Sequence, residues 1–169
     1  MARYSVSFAS VTTTSGGKAD TTVYVSGGYP FFLQGGSSTM QLKVNEIQAG
    51  GEATAASAVQ VLQFGRDSTV GVTAISGCYN ALLDGSATAP GTVAVYGNAA
   101  TTNPQRSATL GHLINHSFNS YGGLVRWQAR QGEEITVIGN TASLGEVSYS
   151  PGPNNVAGPI SGHCLYELV

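Results

Sequence analysis

Of the 169 residues only 9% are Asp, Glu, Lys or Arg, and the net charge is −2, against roughly 25% charged residues in a typical soluble domain. The seven basic residues are scattered from Arg3 to Arg130, which excludes a phosphate-binding stripe and argues against nucleic acid as a partner. The apolar content of 41% can build the core of one domain, and no apolar run reaches the roughly 20 residues of a membrane helix.

The chain reads as short alternating runs between glycine-rich breaks. Tyr4, Val6 and Phe8 alternate with Ser5 and Ser7, the period-2 signature of a half-buried strand. Thr22–Val25 and Phe31–Gln34 are brief β-prone runs separated by Gly27, Gly28 and Pro30. Met40, Leu42 and Val44 alternate with Gln41 and Lys43, and the phase then shifts to Ile47, as a β-bulge produces. Further strands are expected at Val59–Arg66, Val70–Ile75, Thr92–Tyr96, Leu110–Phe118, Leu124–Arg130, Glu134–Ile138, Glu146–Tyr149 and His163–Val169. Arg130-Gln131-Gly132-Glu133 has the character of a hairpin connection, with Gly132 free to take positive φ. Ser150–Pro159, with three prolines, is expected as a loop. Ala53–Ala58 and Ser76–Asp84 offer a helical turn or two at most, since neither sustains a 3.6-residue apolar face.

Ten or so short strands and no break in composition predict an all-β fold: one single-domain β-sandwich over 1–169, jelly-roll-like, with short helical turns at most. Within it, 1–39 is expected as N-terminal strands or an arm and 40–169 as the main sandwich.

No catalytic, cofactor-binding or metal-ligating residue is expected. His112 and His116 have the i, i+4 spacing of helical metal ligands, but in a strand that spacing sets them on one face roughly 13 Å apart. One ion does not span that gap, and surface or interface histidines are the better reading. His163 lacks a Gly-x-Ser-x-Gly elbow that would signal a hydrolase triad. Glu133 and Glu134 are adjacent, so in a strand they point to opposite faces and do not pair as acid and base. Asn115-His116-Ser117 matches the glycosylation sequon, yet Met1–Ser10 lacks the layout of a signal peptide, and synthesis in a cytoplasm is expected. Cys78 and Cys164 are too few for a disulfide framework, and buried thiols are favoured over a bridge between them. Trp127 alternates with Arg126 and Gln128 and is expected to pack in the core rather than stack on a sugar.

The order of segments resembles small proteins that decorate the heads of tailed phages. The similarity runs through Met1-Ala-Arg-Tyr-Ser-Val-Ser7, Leu42-Lys-Val-Asn-Glu-Ile-Gln-Ala-Gly50, Val59-Gln-Val-Leu-Gln-Phe-Gly-Arg66 and the Leu82-Leu83-Asp84 step. Its strongest part is Ile114 to Ile135, which resembles the Asn…Arg-Trp…Pro-Gly-Glu-Glu passage of those proteins, with Arg130-Gln131 replacing the usual small residue and proline. The resemblance implies a jelly-roll-like capsid decoration protein on the virion. Such a protein is a homotrimer seated on the major capsid protein, with no enzymatic activity, cofactor, nucleic acid or membrane. An adhesion module that binds glycans or a host receptor is the alternative. The interface residues are not legible in the sequence.

Overall fold

The period-2 runs at Tyr4–Phe8 and Met40–Val44 become strands with an apolar face toward the core. In chain order they are β1 (Arg3–Ala9), β2 (Thr12–Thr14), β3 (Gly17–Ala19), β4 (Tyr29–Gln34), β5 (Gln41–Gly51), β6 (Val59–Thr69) and β7 (Cys78–Leu82). There follow β8 (Thr92–Tyr96), β9 (Gln105–Arg106), β10 (His112–Asn119), β11 (Leu124–Gln128), β12 (Ile135–Ile138), β13 (Glu146–Pro151) and β14 (Ile160–Leu168). The computed structural model describes residues 2–9, 12–14, 17–19, 29–51, 59–72, 78–83, 90–96, 104–109, 111–142, 144–151 and 160–169. The strand expected at Thr22–Val25, the helical turn at Ala53–Ala58 and most of the loop at Ser150–Pro159 lie outside these residues.

The strands form two antiparallel sheets packed as a sandwich. One has the order β11-β5-β14-β1-β7 with β12 also on β5; the other has the order β10-β6-β13-β4-β8 with β9 also on β6. The two orders match strand for strand, because each of β1/β4, β5/β6, β7/β8, β10/β11 and β13/β14 crosses between the sheets. Setting aside β7, β8 and β9, the orders β1-β14-β5-β11 and β4-β13-β6-β10 are the winding of a jelly roll. β1 and β4, both within the first 39 residues, are interior strands of their sheets.

Between the sheets lies an aromatic core. Phe8, Phe31, Phe64 and Tyr149 meet with ring centroids 5.8 to 6.1 Å apart, and Tyr4 stacks on Tyr166 at 5.1 Å. Val6, Leu33, Leu42, Val44, Ile47, Leu62 and Val147 fill the space around them. Full burial contributes about 1.5–3 kcal/mol for each large side chain. Trp127 packs against this core from β11, as its alternation predicts.

The phase shift before Ile47 is a bulge. β14 pairs Leu165 with Glu46 but Tyr166 with Val44, so Asn45 is the extra residue. Leu42 and Val44 therefore face the core before the bulge, and Ile47 and Ala49 after it.

Three expectations are corrected. Arg130–Glu133 does not connect a hairpin. β11 and β12 both pair with β5, along the same edge and in the same direction, so residues 129–134 are a loop within one interrupted edge strand. The expected turn is there, with Glu133 N–H donating to the Arg130 carbonyl at 2.9 Å and Gly132 at φ +88°, a geometry that suits glycine in the third position. The chain resumes along β5 because Asn45 bulges opposite the loop and accepts the Ala129 amide at 2.8 Å. Second, the segment Ser76–Asp84 holds strand β7 over Cys78–Leu82, where β1 offers a ladder of backbone partners that an isolated helical turn lacks. Third, no strand forms at Val70–Val72, the described part of the run Val70–Ile75. β6 extends to Thr69 to pair with β9, and Val70 packs on Phe32.

Candidate functional site

Two polar networks lie on the outer faces of the sheets. On the first sheet Glu46 accepts from Arg126 Nη2 at 2.6 Å and contacts His163 Nε2 at 3.0 Å. Arg126 and His163 are both register partners of Gln48, one on each side of β5, and Glu46 lies two residues from Gln48 on the same face. The Arg126 hydrogen bond first, and His163 second, hold the Glu46 carboxyl below the usual carboxylate range against the opposing effect of burial. With both oxygens engaged, Glu46 stays ionised and is a poor proton carrier.

Beside Glu46 the bulge opens a groove of about 310 Å³ lined by Arg3, Asn45, Glu46, Gln128, Glu134 and Glu167 among others. Glu134 is also engaged, since both its oxygens accept the Gly132 amide at 3.1 Å. The groove offers hydrogen-bonding groups without an activated nucleophile.

The second network lies on the outer face of the other sheet. Asp67 is fully buried and ion-paired with Arg106 at 3.1 Å. Arg106 Nη2 also donates to the carbonyls of Gln63 at 2.8 Å and Ser148 at 3.2 Å. Glu146 is fully buried, and among the described residues neither of its oxygens meets a donor. Burial pushes Asp67 up to about 6, opposed by Arg106, and pushes Glu146 up to about 7, reinforced by Asp67. Neither carboxyl has exposed surface, so a substrate does not reach them.

The histidines separate. His112 pairs with Gly65 and His116 with Leu62, with a register break at Leu113. The break puts His112 on the solvent side and turns His116 inward, where its Nδ1 is hydrogen-bonded to the Tyr149 hydroxyl. The expectation that both share one face is therefore corrected, and His116 is a core residue whose pKa burial lowers. Glu133 and Glu134 stand in the 129–134 loop and not in a strand. Asn115 is exposed on β10. Cys164 is buried and forms no disulfide; the side chain of Cys78 lies outside the described structure.

Neither Glu46 with its partners nor the Asp67–Arg106–Glu146 cluster was singled out by sequence. Glu46 is 80 residues from Arg126 and 117 from His163, so no local pattern joins them. The one available signal was Glu46 directly before the phase shift.

Exposed apolar side chains gather at opposite ends of β5. Leu124, 64% exposed, pairs with Gly50; Tyr121, 61% exposed, lies in the turn before it; and Val59, opposite Asn119, begins β6 nearby. At the other end Ile138 pairs with Gln41, the Val169 amide donates to the Gln41 carbonyl, and Leu144 accepts from the Ile138 amide. All three of these apolar residues are exposed. Gln41 and Gly50 are nine residues apart, roughly 30 Å of strand.

No protein-family model, curated protein or solved structure matches the chain.

Proposed function

We propose that this chain is a non-enzymatic structural protein of a viral particle, a decoration protein that seats on the outer surface of a phage head as a homotrimer on the major capsid protein. The observation that carries this reading is the pair of apolar clusters at opposite ends of β5, on a sandwich whose sequence is only 9% charged. Two separated contact surfaces suit a subunit that must touch both its neighbours and a shell. Weak charge lets identical copies approach closely, and a lattice multiplies modest contacts into firm attachment. The interior position of β1 and β4 supports a rigid building block.

Cryo-electron microscopy of the particle carrying this chain tests the proposal. Symmetric trimers on a separate shell protein, with Leu124 or Val169 at the contacts, are the expected result. Density at a tail or fibre tip, or a chain that never associates with particles, overturns it.

A second reading is a glycan-binding adhesion module, favoured by the groove at the β5 bulge. Its amide and carboxylate groups beside Arg3 suit a polyhydroxyl ligand. Binding to a glycan array that Gln128→Ala abolishes is its expected outcome, and an array with no signal removes it.

A further inference from the structure

Four neighbouring strands carry one polar row on the outer face of the second sheet. Glu146 on β13 pairs with Gln34 on β4. The β13–β6 register sets Val147 opposite Arg66, and its next step sets Glu146 opposite Asp67; on the far side β9 pairs Arg106 with Asp67. Directly opposed side chains on antiparallel strands have Cβ atoms about 4.5–5.5 Å apart. Two carboxylates at that spacing, shielded from water, do not both ionise at low cost.

Arg106 compensates one negative charge, and it stands at 3.1 Å from Asp67. Among the described residues Glu146 has no donor, and it has no exposed surface. We propose that Asp67 and Glu146 share one proton, carried by Glu146 while Asp67 is ionised against Arg106, and that release of this proton is a built-in pH-sensitive switch loosening residues 105–107 from the sheet.

Among the described residues, that segment is held by the pairing of β9 with β6 and by the Ser68 hydroxyl donating to the Gln105 carbonyl at 3.2 Å. Arg106 donates to the Gln63 and Ser148 carbonyls, the Ser107 amide donates to the Arg66 carbonyl at 2.9 Å, and the Arg66 amide donates to the Gly111 carbonyl at 2.9 Å. When the Glu146 O–H bond breaks and its proton passes to water, a second carboxylate competes for the guanidinium. Arg106 is then drawn toward the acid pair and away from the two carbonyls.

The other groups facing the pair, among the described residues, do not supply the missing charge. Tyr29 on β4 senses both Asp67 and Arg106 but is itself pushed up by burial, so it stays neutral. His112 on β10, opposite Gly65, is exposed. Arg66 has its guanidinium bonded to the Thr136 carbonyl at 2.6 Å and the Leu144 carbonyl at 3.1 Å.

Both acids are raised in the folded protein, Asp67 from 3.8 to about 6 and Glu146 from 4.5 to about 7. The folded chain thus holds more protons than the unfolded chain between about pH 4 and pH 7. The stability they contribute is complete below that window, falls as pH rises through it, and is level above it.

Thermal unfolding of the full chain and of Glu146→Gln, from about pH 5 to about pH 8.5, tests the switch. The wild type is expected to lose about 5 °C in Tm across this range. The variant, whose amide stands in for the protonated acid, keeps only the part of the fall that buried Asp67 contributes up to about pH 6, shows no further fall through pH 7, and melts above the wild type at the alkaline end. Parallel profiles for the two proteins overturn the proposal. So does a wild-type Tm that rises with calcium and falls with EDTA, since a cation would then occupy the proton's place. Should the variant fail to fold, carboxyl-carbon NMR of isotope-labelled wild type decides. One carboxyl titrating near neutrality, together with faster exchange of the Ser107 amide as it ionises, is expected; every carboxyl titrating in the ordinary acid range overturns the proposal.

Discussion

The carbonyl oxygen of Gly111 occupies the place where a Cβ on Gly65 would stand. The approach lets Arg106, Ser107 and Gly111 lie against β6, with the Arg66 amide bonded to that same carbonyl and Arg106 spread over the glycine. Gly65→Ala is therefore expected to destabilise the protein by about 3 kcal/mol, because backbone rather than a flexible side chain must give way. Gly132, at φ +88° with nothing near its missing Cβ, is the contrast. Gly132→Ala meets only backbone strain, about 1 kcal/mol. Urea unfolding of the two variants against the wild type checks both the sizes and their order.

Tyr149 joins the aromatic core to a polar contact with His116. Its hydroxyl bonds His116, and burial pushes its pKa up, so it remains a neutral phenol. Tyr149→Phe keeps the ring packing and leaves a buried imidazole nitrogen unpaired, a loss of about 1–2 kcal/mol. Tyr149→Ala removes the ring contacts to Phe8 and Phe64 as well and is expected to cost about 4 kcal/mol. Chemical denaturation should separate the two variants by more than 1 kcal/mol, about the lower limit set by the cavity.

Glu46 governs the acid limb of stability. Its pKa is lowered in the fold, so its contribution is present above the ordinary carboxylate range and is lost as pH falls through the folded value. Glu46→Gln should melt below the wild type at neutral pH and converge with it once the pH has fallen through the carboxyl's lowered folded value. Because Arg126 is half exposed, salt is expected to narrow the neutral gap. Melting curves across pH at two ionic strengths provide the measurement.

Leu124 tests assembly apart from folding. With 64% of its surface in solvent, Leu124→Asp should change stability by no more than about 0.5 kcal/mol. On the proposed role the same variant fails to co-sediment with particles or to form trimers. Unchanged co-sedimentation would remove this end of the sandwich from the interface.

Strand content followed from local chemistry. The alternation at Tyr4–Phe8 and the shift at Ile47 are readable because side-chain direction in a strand obeys a fixed period, and an extra residue such as Asn45 breaks it visibly. The 129–134 loop misled for the same local reason. Gly132 and its turn look alike whether the chain reverses or merely bulges, and only the position of β5 between the two segments distinguishes them. His112 and His116 were separated by a register break at Leu113 that an unbroken run of β-compatible residues does not announce.

By itself, then, the sequence determined that this is an all-β chain poor in charged residues, with apolar and polar residues alternating along runs such as Tyr4–Phe8, since these depend on composition and nearest neighbours. The tertiary structure alone decided that Glu46 meets Arg126 and His163, that Asp67 faces Glu146 beneath Arg106, and that Leu124 and Val169 stand at opposite ends. Those relations arise when strands distant in the chain are hydrogen-bonded in register, and register is a property of the pair of strands rather than of either one.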